Sequence, residues 1–78
     1  MKVRPLRGDL NDDLKRHQLV KRFNSQAKIF ESNPKYPSLH TEALSPKKLR
    51  LYSFRLTQKF RVVFIFLGGD EVEIIDIN

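Results

Sequence analysis

The stretch Tyr52-Ser-Phe-Arg-Leu-Thr-Gln-Lys-Phe-Arg-Val-Val-Phe-Ile-Phe66 decides the fold of this chain. Tyr52, Phe54 and Leu56 alternate with polar side chains, and after a turn at residues 57–59 the period of two continues through Phe60, Val62, Phe64 and Phe66, now opposed by Arg61 and by apolar residues. A period of two is typical of β-strands, because successive side chains of a strand point to opposite faces. The stretch therefore predicts a β-hairpin with one aromatic face and one face that carries arginine.

The region around this hairpin is strongly basic. Residues 43–69 contain no Asp or Glu, and their six basic residues account for the whole net charge of +6: Lys47, Lys48, Arg50, Arg55, Lys59 and Arg61. A concentration of positive charge favours association with a polyanion such as nucleic acid or the ribosome. We therefore expect the arginine-bearing face to bind phosphate.

Composition restricts the other classes of function. At 78 residues the chain is expected to form a single domain, 1–78, which is too small for a deep enclosed pocket. The absence of cysteine excludes disulfides and thiolate zinc ligands, and His17 and His40 are far apart, so no metal or cofactor is expected. The longest apolar run, Val62–Leu67, is much shorter than the roughly 20 residues that cross a membrane. We expect a cytoplasmic protein.

A helical segment precedes the hairpin. Apolar residues recur at helical spacing between positions 14 and 30, as Leu14, Leu19, Phe23, Ala27 and Phe30. Asp9 or Asn11 is predicted to cap the helix, and Pro34 and Pro37 are predicted to end it.

A last strand, Glu71 to Ile77, follows the turn signal Gly68-Gly69. The predicted fold class is α+β, with one long helix or a helical hairpin packed on a small antiparallel sheet. The sheet has three strands in this prediction, and residues 1–7 are a candidate for an additional edge strand. The phenylalanines at 54, 60, 64 and 66 are assigned to the core beneath the helix, rather than to stacking on bases.

Several short segments, in this order and spacing, resemble the RelE/ParE toxin superfamily, and most closely its RelE- and HigB-like members. The segments are Asn33-Pro34-x-x-Pro37-Ser38-Leu39, Tyr52-Ser-Phe-Arg-Leu, Phe60-Arg-Val-Val-Phe and Val72-Glu-Ile-Ile-Asp76. The resemblance implies a small twisted antiparallel sheet covered by an N-terminal helical hairpin, which agrees with the fold predicted from the periodicities.

The resemblance also implies a function. RelE- and HigB-like toxins cleave messenger RNA in the ribosome, with the 2′-hydroxyl of the RNA attacking the adjacent phosphate and with no metal or cofactor, and a cognate antitoxin protein binds them. Arg55 and Arg61 are similar to basic positions on the RNA-binding face of the family, whereas Ser53 stands where some relatives have a basic residue. The resemblance thus assigns catalytic roles to Arg55 and Arg61.

The last three residues differ from the family pattern. Against a HigB-like ending Asp-Tyr-His, Asp76 matches, while Ile77 and Asn78 replace the tyrosine and the histidine. Asp76 is therefore a third candidate catalytic residue, and the chain is interpreted as either a truncated or degenerate relative or one that transfers protons differently. Its activity as an endoribonuclease depends on whether this C-terminus is competent.

Each assignment has a plainer alternative. Arg61 is also compatible with an ion pair to Glu71 or Glu73 across the hairpin, and Asp76 with a simple polar strand end. General electrostatic attraction to RNA is assigned to the remaining basic residues of the segment: Lys47, Lys48, Arg50 and Lys59. Two further functions stay open, namely an inactive homologue that binds an antitoxin and a ParE-like inhibitor of DNA gyrase.

Overall fold

The computed structural model describes residues 1–78 and shows two helices packed on one face of a five-stranded sheet. The sheet order is β1-β5-β4-β3-β2; β1 is parallel to β5 and the other pairs are antiparallel. In chain order the elements are β1 (Lys2–Val3), α1 (Gly8–Arg16), α2 (Val20–Ser32), β2 (Glu42–Ala43), β3 (Tyr52–Arg55), β4 (Arg61–Leu67) and β5 (Glu71–Ile77). The predicted α+β class is confirmed, and the short strand β2 adds to the predicted sheet.

The helical segment is a hairpin rather than one long helix. Gln18 takes a left-handed backbone conformation with φ 58°, which no α-helix continues through. The backbone N–H of Leu19 then donates to the Leu14 carbonyl at 2.8 Å and closes the turn between α1 and α2. Asn33 ends α2 in an extended conformation before Pro34, as predicted. Neither helix is both long and apolar enough to span a bilayer.

The predicted N-terminal cap is wrong. Arg7 occupies the cap position of α1, and Asp9 and Asn11 lie inside the helix. The physical reason is a tertiary contact: the Arg7 guanidinium donates to the Asp9 carboxylate at 3.1 Å and to the Ile75 carbonyl at 3.2 Å. This contact ties the start of α1 to β5, and the hydrogen bond from Arg7 lowers the pKa of Asp9 below its usual value.

Aromatic packing joins the helices to the sheet. The Phe30 ring on α2 is completely buried and lies with its centroid 4.9 Å from those of both Phe54 and Phe64. The core assignment is confirmed for Phe54 and Phe64, whereas Phe60 is half-buried. It is wrong for Phe66, whose side chain is 45% exposed because α2 ends before it reaches that part of the sheet.

Strand β5 contains an irregularity that changes which residues face the core. Val63 pairs with Asp76 but Phe64 pairs with Ile74, so Ile75 is an extra residue in β5. Such a β-bulge shifts the alternation of side chains by one residue. As a result Ile74 and Ile77 both pack against the core, and Asp76 lies on the opposite face.

Truncating the ring that joins the two layers should be costly. We expect Phe30→Ala to lower the free energy of unfolding by about 3–5 kcal/mol, because it removes a fully buried ring and leaves a cavity between α2 and the sheet. Urea denaturation measures this change. Val20→Ala, at a residue of the same helix that is 39% exposed, is the control and should change it by less than about 1 kcal/mol.

Candidate nucleic-acid interface

The face of the sheet turned away from the helices, here called the open face, carries two rows of facing residues. One row crosses from β2 to β5 as Glu42, Ser53, Val63 and Asp76. The other is formed by Arg55, Arg61 and Asn78. Residues facing each other across antiparallel strands have Cβ atoms about 4.5–5.5 Å apart, so the polar side chains of the two rows form one cluster.

Arg61 makes the most side-chain contacts in this cluster. Its Nε donates to the Ser53 hydroxyl at 2.9 Å, and its Nη2 donates to the His40 carbonyl at 2.6 Å. The Glu42 carboxylate lies 3.7 Å from the same Nη2. These partners come from two parts of the chain, the segment 40–42 and β3, and leave the side chain only 28% exposed. The guanidinium is therefore held in one position before any ligand arrives.

The alternative ion pair predicted for Arg61 is wrong. Glu71 pairs with Leu67 and Glu73 with Ile65, both toward the far end of β4 from Arg61. The carboxylate that reaches Arg61 belongs to Glu42 instead, which lies on the other side of β3.

Glu42 is the member of the site that the sequence does not reveal. It lies in a strand of two residues, too short for any alternation to be read. Its position is set by the preceding loop, in which the Thr41 hydroxyl donates to the Pro34 carbonyl at 2.6 Å. His40 has a left-handed backbone with φ 47° and directs its carbonyl to Arg61. The proline-rich segment that ends α2 thus also places the carboxylate.

Arg55 faces Arg61 directly across β3 and β4. Its guanidinium takes part in none of the ion pairs of the chain. Its backbone carbonyl accepts a hydrogen bond from Gln26 Nε2 at 2.8 Å, and the next carbonyl, of Leu56, accepts one from Arg22 Nε at 2.8 Å. Gln26 is almost completely buried, so α2 fixes the backbone from which Arg55 projects. Glu42 pairs with Arg61 alone, so Arg55 has no carboxylate partner, although the charges of the two rows balance: Arg55 and Arg61 against Glu42 and Asp76.

The bulge in β5 brings Asp76 and Asn78 to the same face. The backbone of Asn78 exchanges two hydrogen bonds with that of Arg61, at 2.9 and 3.0 Å. Its side-chain amide donates to the Asp76 carboxylate at 2.8 Å. An amide donates and accepts hydrogen bonds but does not transfer protons. No group of three or more His, Cys, Asp or Glu side chains is arranged to hold a metal ion.

The remaining predicted RNA-binding residues do not form a single patch with this cluster. Lys59 lies in the turn that joins β3 to β4, at the end where Arg55 and Arg61 face each other. Lys47, Lys48 and Arg50 lie in and just after a short 3₁₀ turn that precedes β3, at the opposite end of the hairpin. All four are exposed. The basic residues of segment 43–69 are close together in sequence, but the structure places them at two opposite ends of the hairpin.

The architecture is known from solved structures, although no protein-family model and no curated protein matches the sequence. A YoeB/ParE toxin from Agrobacterium tumefaciens superposes with a TM-score of 0.74 at 20% identity, over 100% of this chain and 96% of that one. This chain has the fold of the RelE/ParE toxins. The heterotetrameric YoeB–YefM toxin–antitoxin complex from Staphylococcus aureus matches with a TM-score of 0.67 at 18% identity, over 94% of this chain and 86% of its counterpart. The RelE/ParE-like fold inferred from the sequence motifs is confirmed.

The two side-chain partners of Arg61, Ser53 and Glu42, should contribute unequally to stability. Ser53→Ala removes a buried hydroxyl that accepts from a charged donor, and we expect it to lower the free energy of unfolding by about 1–2 kcal/mol. Glu42→Ala removes an exposed carboxylate and should change it by less than about 1 kcal/mol. Chemical denaturation of both variants tests the difference. Equal losses would mean that the exposed carboxylate holds the guanidinium as strongly as the buried hydroxyl does.

Proposed function

We propose that this chain is the toxin of a type II toxin–antitoxin system and cleaves messenger RNA in the ribosome. The observation that carries the proposal is the pair Arg55 and Arg61 on the open face, with the Glu42 carboxylate 3.7 Å from Arg61. The fold shared with YoeB/ParE toxins supports it. A cytoplasmic location follows from the proposed target.

Arg61 and Arg55 bind the scissile phosphate in this mechanism. Cleavage by a neighbouring 2′-hydroxyl places extra negative charge on the phosphate oxygens in the transition state. Preorganised cations next to those oxygens lower the barrier, because they pay little reorganisation cost when the charge develops. Arg61 is already fixed by Ser53 and His40, and Arg55 has no carboxylate partner that a phosphate would have to displace. Binding of the phosphate replaces Glu42 as the counter-charge of Arg61.

Glu42 is the proposed general base. Once released from Arg61, its carboxylate takes the proton of the 2′-hydroxyl as the 2′-oxygen forms its bond to phosphorus. The bond from phosphorus to the 5′-oxygen breaks, a 2′,3′-cyclic phosphate remains, and the 5′-oxygen takes a proton from water. Asp76 has the role of holding Asn78 beside Arg61, through the hydrogen bond at 2.8 Å. General-base assistance of this kind contributes about 10²–10⁴-fold.

The four other basic residues guide RNA to this site. Lys59 lies next to the two arginines, whereas Lys47, Lys48 and Arg50 extend the positive field to the far end of the hairpin. Exposed cations of this kind speed association and make it dependent on salt, without taking part in the chemistry. The proposed protein partner is a cognate antitoxin, as in the YoeB–YefM complex of Staphylococcus aureus.

The first test is cleavage in a bacterial translation reaction. We expect Arg61→Ala to reduce cleavage by at least about 100-fold, which is the typical loss when one transition-state donor is removed. Primer extension with and without ribosomes maps the cuts. Arg4→Ala removes an exposed arginine outside the cluster and should cleave like the parent. Equal cleavage by parent and Arg61→Ala would remove Arg61 from the mechanism.

A second candidate function is favoured by Asn78. The residue beside Arg61 in the last strand carries an amide that transfers no proton, as expected of a relative that binds an antitoxin without cleaving RNA or of a ParE-like gyrase inhibitor. Absence of ribosome-dependent cuts from folded protein would select this class. A DNA supercoiling assay with gyrase would then separate the two functions of this class. Inhibition would identify a gyrase inhibitor, and no inhibition would identify a homologue that only binds an antitoxin.

The same residue provides a gain-of-function prediction. If proton donation to the leaving oxygen limits the reaction, Asn78→His should raise the cleavage rate by roughly ten-fold or more, because an imidazolium is an effective general acid near neutral pH. The gain should decline as the pH rises through the pKa of the introduced imidazole, because only the protonated ring can act as the acid. Asn78→Gln retains an amide and serves as the control. An unchanged rate for Asn78→His would show that donation from water suffices.

A further inference from the structure

An aromatic row leaves the core and reaches the surface on the helix-covered side of the sheet. The Tyr52 ring lies 5.9 Å from Phe64 and 4.8 Å from Phe66, measured between centroids. Phe64 is completely buried, Tyr52 is half-buried and Phe66 is 45% exposed. Nearby, Tyr36 is 49% exposed. Exposed aromatic residues scattered singly are ordinary, but a row continuous with the core marks a surface that can bury a partner.

The row is exposed because the helical layer is shorter than the sheet. Phe30 covers Phe54 and Phe64, and α2 then ends at Ser32. Beyond that point the proline-rich segment 34–41 runs beside the sheet and leaves a groove of about 530 Å³. Its walls include Pro34, Tyr36 and Pro37 on one side and Tyr52 and Phe66 on the other. We call this the aromatic groove; its size falls within the roughly 300–1,000 Å³ of known ligand sites.

The charges around the aromatic groove are mainly positive. Lys35 lines it, and Lys47 and Arg50 line a neighbouring depression that shares Tyr52 and Phe66 with it. The acidic residue of the lining, Glu42, is paired with Arg61. A ligand of the aromatic groove therefore has to contact apolar side chains inside the groove and basic side chains around its rim.

We propose that the aromatic groove binds an acidic peptide segment of a partner protein, with one or two apolar side chains as anchors. Acidic residues complement Lys35, Lys47 and Arg50, and apolar anchors cover Tyr52 and Phe66. A second copy of this chain fits poorly, because each carries a net charge of +6. RNA is better matched by the arginine cluster on the opposite face. The identification of the partner as an antitoxin rests on the proposed function. The proposal that the groove binds an acidic peptide with apolar anchors does not depend on it.

The groove also adjoins the proposed catalytic site. His40 and Glu42 line the groove, and the same two residues contact Arg61 through a carbonyl at 2.6 Å and a carboxylate at 3.7 Å. β2 is a terminal strand of the sheet, so its outer edge offers backbone groups to an extended segment. A segment bound in the groove thus touches the strand that positions Glu42. This arrangement lets a partner regulate cleavage without covering the arginines.

The proposal is tested by selecting short random peptides displayed on phage against the immobilised full chain. Selected peptides are synthesised with a fluorescent label, and their affinities are measured by anisotropy. We expect them to combine acidic and apolar residues. We expect Tyr36→Ala and Phe66→Ser each to weaken binding by about 30-fold, as for a buried anchor contact. Val20→Ser, at another exposed apolar residue outside the groove, should bind like the parent. Far-UV circular dichroism checks that each variant is folded.

Several outcomes would overturn the proposal. It fails if no peptide is enriched, or if the selected peptides bind all variants equally. It also fails if a single-stranded oligonucleotide loses affinity for Phe66→Ser but not for Arg61→Ala, which would assign the groove to RNA. Sedimentation showing a dimer that Phe66→Ser dissociates would assign it to a second copy. Peptide binding needs neither RNA nor ribosomes. It can therefore be observed even if the chain proves not to cleave messenger RNA, and the two proposals can fail separately.

Discussion

The packing of Phe30 between Phe54 and Phe64 is the contact on which the rest of the structure depends. A single ring from α2 touches two adjacent strands at 4.9 Å between centroids, and it is completely buried. Because this contact commits one face of the sheet to the helices, the other face is left to carry polar side chains. Gln26 and Arg22, on the same helix, bind backbone carbonyls of β3 and its continuation at 2.8 Å each. The helix that builds the core therefore also fixes the strand that presents Arg55.

The open face illustrates how a small domain arranges charge without a deep pocket. Arg61 keeps its position through a hydroxyl, a backbone carbonyl and a carboxylate, none of which belongs to its own strand. Only the carboxylate is a charged partner, and it is exposed. The guanidinium is thus held mainly by neutral groups, and in the proposed mechanism the phosphate takes the place of the carboxylate as its counter-charge. The proposed chemistry and the proposed regulation both involve the short segment that carries His40 and Glu42.

Much of this protein is predictable from local sequence. The hairpin, the helical stripe, the turn at residues 57–59 and the helix end at Asn33 follow from periodicity and from proline geometry, and the structure confirms them. Arg55 and Arg61 are placed on one face by the same period of two. Glu42 was not predictable, because a two-residue strand has no period. Alternation places Phe66 on the core face, but it does not show how far the covering helix extends, and Phe66 lies beyond the end of that helix.

The sequence by itself determined the hairpin, the last strand, the helical segment and where the positive charge is concentrated, since these properties depend on neighbours along the chain. The tertiary structure alone decided which distant groups meet. The extra residue Ile75 reverses the alternation of β5 and carries Asp76 and Asn78 to the side of Arg61. The loop after α2 brings Glu42 to the same arginine, while the length of α2 leaves Tyr52 and Phe66 uncovered. Register, bulges and the extent of a packed layer are set by contacts between elements, so no local pattern encodes them.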